Sequence, residues 1–182
     1  MYRLMLLLVG VSAALAASVG TGYASATVHD VLSERFKVSR IEAPNQFDEG
    51  HVIKMGAVLL LQADGVPAGV LRTTQINTKS PRFHAHDYAR VTVGEDGHII
   101  LAEPASLTLG KGTRLVVLDL KVDRDRVHMF THTLDPVRLP DGRTAHGCTE
   151  FIFAFDPSTL ARADIATVTV RIDQWLSIAS AS

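Results

Sequence analysis

Three Asp-Gly pairs constrain the fold of this chain more than any other feature of its sequence. They lie at Asp64-Gly65, Asp96-Gly97 and Asp141-Gly142, and each stands between two short apolar stretches. Glycine readily adopts the positive φ that a tight reversal between antiparallel strands requires. The pattern therefore predicts strands joined by tight turns.

Apolar and polar residues alternate along several of these stretches, as is typical of half-buried antiparallel strands. Three sets of residues are each predicted to share one strand face. The sets are Ala89, Val91 and Val93; Val116, Leu118, Leu120 and Val122; and Phe151, Phe153 and Phe155. We expect a mainly β protein, built as a small antiparallel barrel or roll of five to eight strands.

The end of the chain has a different period. Ile165, Val168 and Ile172 are separated by three and four residues, which is helical spacing. The β-branched run 168–170 also permits a strand. We favour a C-terminal helix that packs on the β-structure.

Residues 1–26 are predicted to be a signal peptide. Arg3 precedes an apolar run from Leu4 to Ala17, and Ala24-Ser25-Ala26 is a small-x-small cleavage pattern. The run is shorter than the roughly 20 residues of a membrane-spanning helix, so we expect no stable span after processing. The protein is expected to be exported, and therefore periplasmic or secreted.

Cleavage after Ala26 would leave 156 of the 182 residues, enough for one domain. Residues 27–35 are expected to be an N-terminal linker or a first helical turn, and residues 36–178 a single β-rich domain. The leader contains one of the 18 basic residues and none of the 19 acidic ones, which gives the mature chain a net charge of −2. That balance provides no electrostatic reason to bind nucleic acid.

Histidines and the single cysteine form the candidate metal ligands, because imidazole and thiolate bind zinc and copper. Even sequence spacing would direct the members of each small group to one side of a strand. The candidate ligands are His84, His86, His128, His132, His146 and Cys148. No other cofactor is expected.

Each group also has a purely structural interpretation. The pair His84 and His86 fits a solvated strand face, while His128 and His132 fit hydrogen-bonded core edges or the lining of a small cleft. Cys148 lies opposite the phenylalanine face and fits a buried, unreactive thiol.

The string from Ala145 to Cys148 resembles the nucleophile motif of exported L,D-transpeptidases, in which the cysteine attacks an acyl donor and a histidine acts as base. The family's arginine two positions after the cysteine is Glu150 here, and no His-Gly pair precedes the string. A carboxylate at that position opposes thiolate formation and the binding of an anionic donor. No other catalytic motif is present, so we predict that the protein is not an enzyme.

Three other stretches resemble a group of small exported bacterial proteins of uncharacterised function. They are residues 54–62 with Asp64-Gly65-Val66, residues 107–122, and the Phe-x-Phe-x-Phe strand at 151–155. The resemblance implies an SH3-like or similar small β-barrel and no functional residue.

Two functions agree with these features of the sequence. The first is an exported, non-enzymatic binding or envelope-associated module whose partner is an envelope protein, a glycan or a small ligand. The second is an exported zinc- or copper-binding protein, which requires at least three of the candidate ligands to converge.

Overall fold

The computed structural model describes residues 26–42, 51–70 and 88–179. Three helices are present in these ranges: α1 (Val28–Phe36), α2 (Pro157–Ala161) and α3 (Ile165–Asp173). None of them is long and apolar enough to cross a bilayer. The strands are β1 (Arg40–Glu42), β2 (His51–Lys54), β3 (Val58–Leu61), β4 (Val66–Val70), β5 (Ala89–Val93), β6 (Ile99–Ala102), β7 (Leu107–Leu109), β8 (Arg114–Val122), β9 (Arg126–Thr133), β10 (Val137–Arg138), β11 (Thr144–Ala145), β12 (Gly147–Ala154) and β13 (Leu176–Ile178).

The protein is mainly β, as predicted, and its largest sheet curls into a half-barrel. Seven strands follow one another in the order β13-β3-β8-β9-β12-β4-β7, and β5 and β6 join the same sheet beside β12. All pairings in this sheet are antiparallel except that of β5 with β12, which is parallel. The long central strand β12 therefore has β9 on one side and β4 followed by β5 on the other.

Two of the three predicted Asp-Gly turns join paired strands, β5 with β6 and β10 with β11, whereas β3 and β4, on either side of Asp64-Gly65, pair with other strands. Gly65, Gly97 and Gly142 have φ values of +75°, +84° and +86°, in the region that glycine adopts without strain. A further reversal joins β8 and β9, where the Asp123 N–H donates to the Arg126 carbonyl at 2.8 Å.

The core lies on one face of β9 and β12. Phe151 and Phe153 are fully buried with their rings stacked 6.2 Å apart, and Phe155 is buried beside them, so the predicted aromatic face is confirmed. Val127 and Met129 of β9 share this core. Side chains of this size dominate the burial of apolar surface and hence stability.

The prediction that Val116, Leu118, Leu120 and Val122 share one face is wrong. Val117 pairs with Thr131 and Asp119 pairs with Phe130, so one residue of β8 is left over between them. Such a bulge reverses the faces of the residues on its two sides. The core consequently takes Leu115 and Val117 before the bulge and Leu120 after it.

Residues 27–35, for which a linker or a first helical turn was expected, belong mainly to α1. Thr27 caps this helix, since its hydroxyl accepts from the Asp30 N–H while the Asp30 carboxylate accepts from the Thr27 N–H. Val28, Leu32 and Phe36 are spaced for one helical face and are buried in the main core. The helix is therefore part of the domain.

The predicted C-terminal helix is divided. Ala163, with φ +51°, separates the short α2 from α3, and Asp164 caps α3 by accepting from the Thr167 N–H. Val168 and Ile172 of α3 enter the main core. Beyond α3 the chain becomes strand β13, which pairs with β3, so Leu176 is buried from a strand.

Candidate functional site

The second face of β9 and β12 carries polar and ionisable side chains that the aromatic core excludes. Strand register places Cys148 opposite His132, Glu150 opposite Phe130 and Ile152 opposite His128. Because side chains directly opposite on one face lie within about 5.5 Å at Cβ, these residues form a continuous surface.

His132 and His146 are held by the same acceptor. The Nδ1 atoms of His132 and His146 lie 2.7 Å and 2.9 Å from the carbonyl oxygen of Thr133. A carbonyl only accepts, so both rings carry their proton on Nδ1, and in the neutral form each Nε2 has an available lone pair. The rings stack with centroids 4.8 Å apart and an interplanar angle of 27°.

Burial keeps His132 neutral. The residue is 1% exposed, and the loss of hydration, helped by repulsion from His146, lowers the pKa of His132 to about 3 despite its bond to Thr133. Its Nε2 is buried, and no residue in the described part of the chain hydrogen-bonds to it. A buried acceptor that lacks a partner is costly to the folded protein.

We expect stability to fall as the pH decreases below about 6.5, because unfolded His132 takes up a proton that the folded residue refuses. The contribution of neutral His132 is complete above its ordinary pKa of 6.5 and is lost progressively between pH 6.5 and about 3. The loss approaches about 1.4 kcal/mol per pH unit, or about 2 kcal/mol at pH 5. Urea unfolding over this pH range measures it.

The matched variants are His132→Leu and His98→Ala. His132→Leu is expected to flatten the pH dependence, and His98→Ala, which removes an exposed histidine, is expected to retain it. A His132→Leu protein with the wild-type pH dependence would contradict this assignment.

A second polar group surrounds Glu150. Its side chain is 7% exposed; one carboxylate oxygen lies 2.8 Å from His128 Nδ1 and the other 3.1 Å from Arg90 Nε. Burial raises the pKa of Glu150, but the hydrogen bonds and charges of His128 and Arg90 outweigh that effect and hold the pKa below its ordinary value. Each of these two partners of Glu150 also contacts a second carboxylate. Asp123 Oδ2 lies 3.2 Å from His128 Nε2, and Glu103 Oε1 lies 3.6 Å from Arg90 Nη1.

Cys148 is buried, as its register predicted. It packs with Tyr88 and Phe130, whose rings meet edge to face at 5.4 Å, and its Sγ lies 3.5 Å from the Gly69 carbonyl. His146, the histidine of the transpeptidase-like string, directs Nδ1 to the Thr133 carbonyl. The string therefore contains a buried thiol two residues after an imidazole bound to a carbonyl.

Four of the six candidate metal ligands lie in the described ranges, and those four do not come together as one set. His132 and His146 are adjacent, Cys148 is across the ladder from His132, and His128 belongs to the Glu150 group. His84 and His86 lie outside the described residues. Among the residues that the structure describes, no three His, Cys, Asp or Glu side chains are arranged to hold a metal ion.

The contact between Glu150 and Arg90 was not predicted from the sequence. A usable signal was present, since Glu150 lies between Cys148 and Ile152 on a strand face that alternation predicts to be buried. A buried carboxylate requires a positively charged or donating partner. Thr133 gave no comparable signal, because it acts through its backbone carbonyl.

A separate apolar surface lies on β6, at the margin of the sheet. Ile99, Ile100 and Leu101 are 42%, 64% and 57% exposed, and all four residues of the strand are exposed. Among the described strands β6 pairs only with β5. The turn of this hairpin is anchored, since Trp175 Nε1 donates to the Gly97 carbonyl at 3.1 Å and Arg171 donates to that of Gly94.

No protein-family model matches this chain, and no curated protein or solved structure matches it either.

Proposed function

We propose that this protein is an exported, non-enzymatic binding module that recognises an apolar polypeptide segment flanked by basic residues. The observation that carries the proposal is the exposure of Ile99, Ile100 and Leu101 on one short strand. Isolated apolar side chains are ordinary on a protein surface, whereas three consecutive large ones mark an interaction site.

The β6 surface is rigid before a partner binds, because the β5-β6 hairpin is anchored to neighbouring elements. Trp175 and Arg171 hold the turn, and β5 is joined to the central strand β12 along five residues. A partner that docks on a rigid surface orders few additional groups, and this preserves more of the interaction free energy.

The charges beside β6 favour a basic partner. Glu95 and Asp96 precede the strand and are exposed, and Glu103 follows it with a side chain 43% exposed. Arg90 is already engaged with Glu103 and the buried Glu150. Complementary charge at the rim of an apolar surface increases the association rate and selects among partners.

The shape of the strand argues against a second copy as the occupant. The ladder with β5 shifts register between Thr92 and Val93, which pair with Leu101 and Ile99, so Ile100 is left outside the pairing. Bulges of this kind prevent edge strands from pairing with one another. The side chains, rather than a regular backbone edge, therefore provide the binding surface.

A labelled synthetic peptide of alternating valine and threonine with lysines at both ends tests the proposal by fluorescence anisotropy. We expect binding that weakens with added salt, because part of the attraction is between exposed charges. Ile100→Ser is expected to weaken binding at least tenfold, the equivalent of about 1.4 kcal/mol.

Val170→Ser is the matched control, because Val170 is 61% exposed on α3 and is outside β6; its affinity should equal that of the wild type. Peptide binding that is absent, or insensitive to Ile100→Ser, contradicts the proposal. A dimer in sedimentation that Ile100→Ser dissociates would identify a second copy as the occupant and would also overturn it.

Export and a barrel-like architecture belong to the same proposal. Thr27, the first residue after the proposed cleavage site, is also the cap of α1, so removal of residues 1–26 would leave the ordered helix intact. This supports a leader that ends where the domain begins. The entry of Val168 and Ile172 into the core supports a small antiparallel barrel or roll on which α3 packs, of the SH3-like kind that the resemblance implies.

A further inference from the structure

The side chain of Ile100 is held by a contact outside the strand ladder. The pairing of β5 with β6 joins Leu101 to Thr92 and Ile99 to Val93, so no residue of β5 lies opposite Ile100. Its side chain is also 64% exposed, and an exposed isoleucine without a fixed neighbour samples several rotamers. The group that fixes Ile100 before a partner binds therefore lies elsewhere in the hairpin.

Gly94 provides that contact. A Cβ added to Gly94 would lie 3.0 Å from the Cγ2 atom of Ile100, so the isoleucine packs directly against the bare backbone of this glycine. Gly94 is buried and belongs to the turn: its N–H donates to the His98 carbonyl at 2.8 Å, and its carbonyl accepts from the Gly97 N–H at 2.9 Å. The position of the Gly94 backbone therefore sets the position of the Ile100 side chain.

Arg171 fixes Gly94 from α3. Its Nη1 donates to the Gly94 carbonyl at 2.5 Å, and a hydrogen bond from a charged donor is stronger than one between neutral groups. The helix that carries Arg171 is itself fixed, because Ile172 is fully buried in the main core and Asp173 accepts two bonds of 2.8 Å from Arg35 of α1. The last turn of α3 is therefore a rigid base for the hairpin.

We propose that Arg171 is a positioning residue of the β6 surface, which acts through Gly94 to hold Ile100 where an apolar partner meets it. This inference rests on the function proposed above and adds to it a residue that lies outside the binding surface. Without its anchor, Ile100 would adopt the binding orientation for only a fraction of the time. The measured affinity falls in proportion to that fraction.

The positive charge of Arg171 makes the proposal testable by the direction of an effect. The proposed partner is basic, so removal of a positive charge close to Glu95 and Asp96 would by itself tighten binding. Loss of the hydrogen bond to Gly94 would weaken binding. A variant without the guanidinium therefore separates a charge effect from a positioning effect.

The experiment measures binding of the lysine-flanked valine-threonine peptide to Arg171→Met by fluorescence anisotropy. Methionine keeps an unbranched apolar side chain and removes both the charge and the donor. We expect an affinity about three- to tenfold weaker than that of the wild type. In methyl NMR of the isoleucine-labelled protein without peptide, the Ile100 resonance should move toward that of a freely rotating side chain, while the other isoleucine resonances stay in place.

Two variants of basic residues are the controls. Arg171→Lys retains a charged donor for the Gly94 carbonyl and is expected to bind the peptide within about twofold of the wild type. Arg162→Met removes an exposed positive charge at the end of α2, away from the hairpin contacts. It is expected to leave the affinity and the Ile100 resonance unchanged.

Gly94→Ala tests the second step, because its methyl group would displace Ile100 and leave Arg171 in place. Gly94 does not have a positive φ, so alanine adds no backbone strain there. We expect weaker peptide binding, and this variant keeps the test available should Arg171→Met fail to fold. In an Ile100→Ser background neither substitution should weaken binding further, because the side chain that they position is gone.

The outcomes distinguish this inference from the proposed function. Absence of peptide binding by the wild type would overturn both. Wild-type binding that Arg171→Met leaves unchanged or tightens would overturn the positioning role alone. An equal loss of affinity from Arg171→Met with and without Ile100→Ser would do the same, since Arg171 would then act on another group.

Discussion

Gly56→Ala is expected to lower the free energy of unfolding by about 3 kcal/mol or more, because one methyl group would separate α1 from the sheet. A Cβ at Gly56 would overlap the backbone carbonyl of Lys37, and Ser39 Oγ would also be too close. The Gly56 N–H donates to Ser39 Oγ at 2.7 Å, and the next N–H, of Ala57, donates to the Phe36 carbonyl at 3.1 Å. These bonds hold the end of α1 against the start of β3.

The loss is large because the obstructing atoms belong to the backbone. A flexible side chain would move aside, whereas displacement of Lys37 also moves Phe36, which is fully buried in the main core. Interiors are close-packed, so a displaced helix loses contacts along its whole buried face. Leu32 and Val28 share that face.

Gly110→Ala is the matched control, since the nearest atom to its added Cβ is an Asp64 oxygen at 3.4 Å, an ordinary contact. We expect it to change the free energy of unfolding by less than about 0.5 kcal/mol. Urea unfolding followed by Trp175 fluorescence and by circular dichroism measures both variants. Equal stability of the two variants would show that the close approach of α1 is absent in solution.

Much of the fold follows from local sequence chemistry. The Asp-Gly turns and the Phe151 to Phe155 face were predictable because a turn and an alternating strand depend on neighbouring residues. The helix α1 was predictable in principle, since Thr27 and Asp30 have the spacing of a capping box and Val28, Leu32 and Phe36 share a face. The prediction of a linker did not take that signal into account.

Other features depend on partners that are distant in the chain. The bulge in β8 is set by its pairing with Thr131 and Phe130 of β9, and the sequence around Leu118 contains no signal for it. Leu176 continues the helical spacing of the apolar residues before it, yet it lies in strand β13, which pairs with β3. Periodicity alone cannot distinguish these outcomes, because tertiary pairing overrides local preference.

In the candidate site, too, local features were predictable and contacts between distant residues were not. Sequence spacing placed His146 with Cys148 and His132 with His128, because each pair falls on one strand side. The structure instead brings His146 to His132, since the β10-β11 hairpin returns the chain to Thr133. His128 is turned to Glu150, a partner 22 residues away. The chemical types of the groups were predictable, and their pairing was not.

Glu150→Gln is expected to lower the free energy of unfolding by about 2 to 3 kcal/mol at neutral pH. Removal of one partner from a buried ion pair leaves the other charge poorly compensated. The expected loss of stability is smaller than for a fully buried ion pair, because Arg90 is 41% exposed and water hydrates its charge once Glu150 is replaced. Glu103→Gln is the matched control: Glu103 faces the same arginine at 3.6 Å but is 43% exposed, so a change below about 0.5 kcal/mol is expected.

The pH dependence distinguishes a charge effect from a change in packing. The pKa of Glu150 is held below its ordinary value of 4.5, so its ionised form contributes fully to stability above pH 4.5. That contribution is lost as the pH falls through the lowered pKa of the folded state. Glutamine does not titrate, and the difference between wild type and Glu150→Gln should therefore narrow below pH 4.5.

A double-mutant cycle with His128→Gln then assigns the effect to its main partner. His128 Nδ1 is the shortest polar contact of the Glu150 carboxylate, at 2.8 Å, and we expect a coupling free energy of about 1 to 2 kcal/mol at neutral pH. The coupling should decline with the carboxylate's charge, in the same acid range as the stability difference. A pH-independent stability loss with no coupling would mean that Glu150 acts through its shape alone.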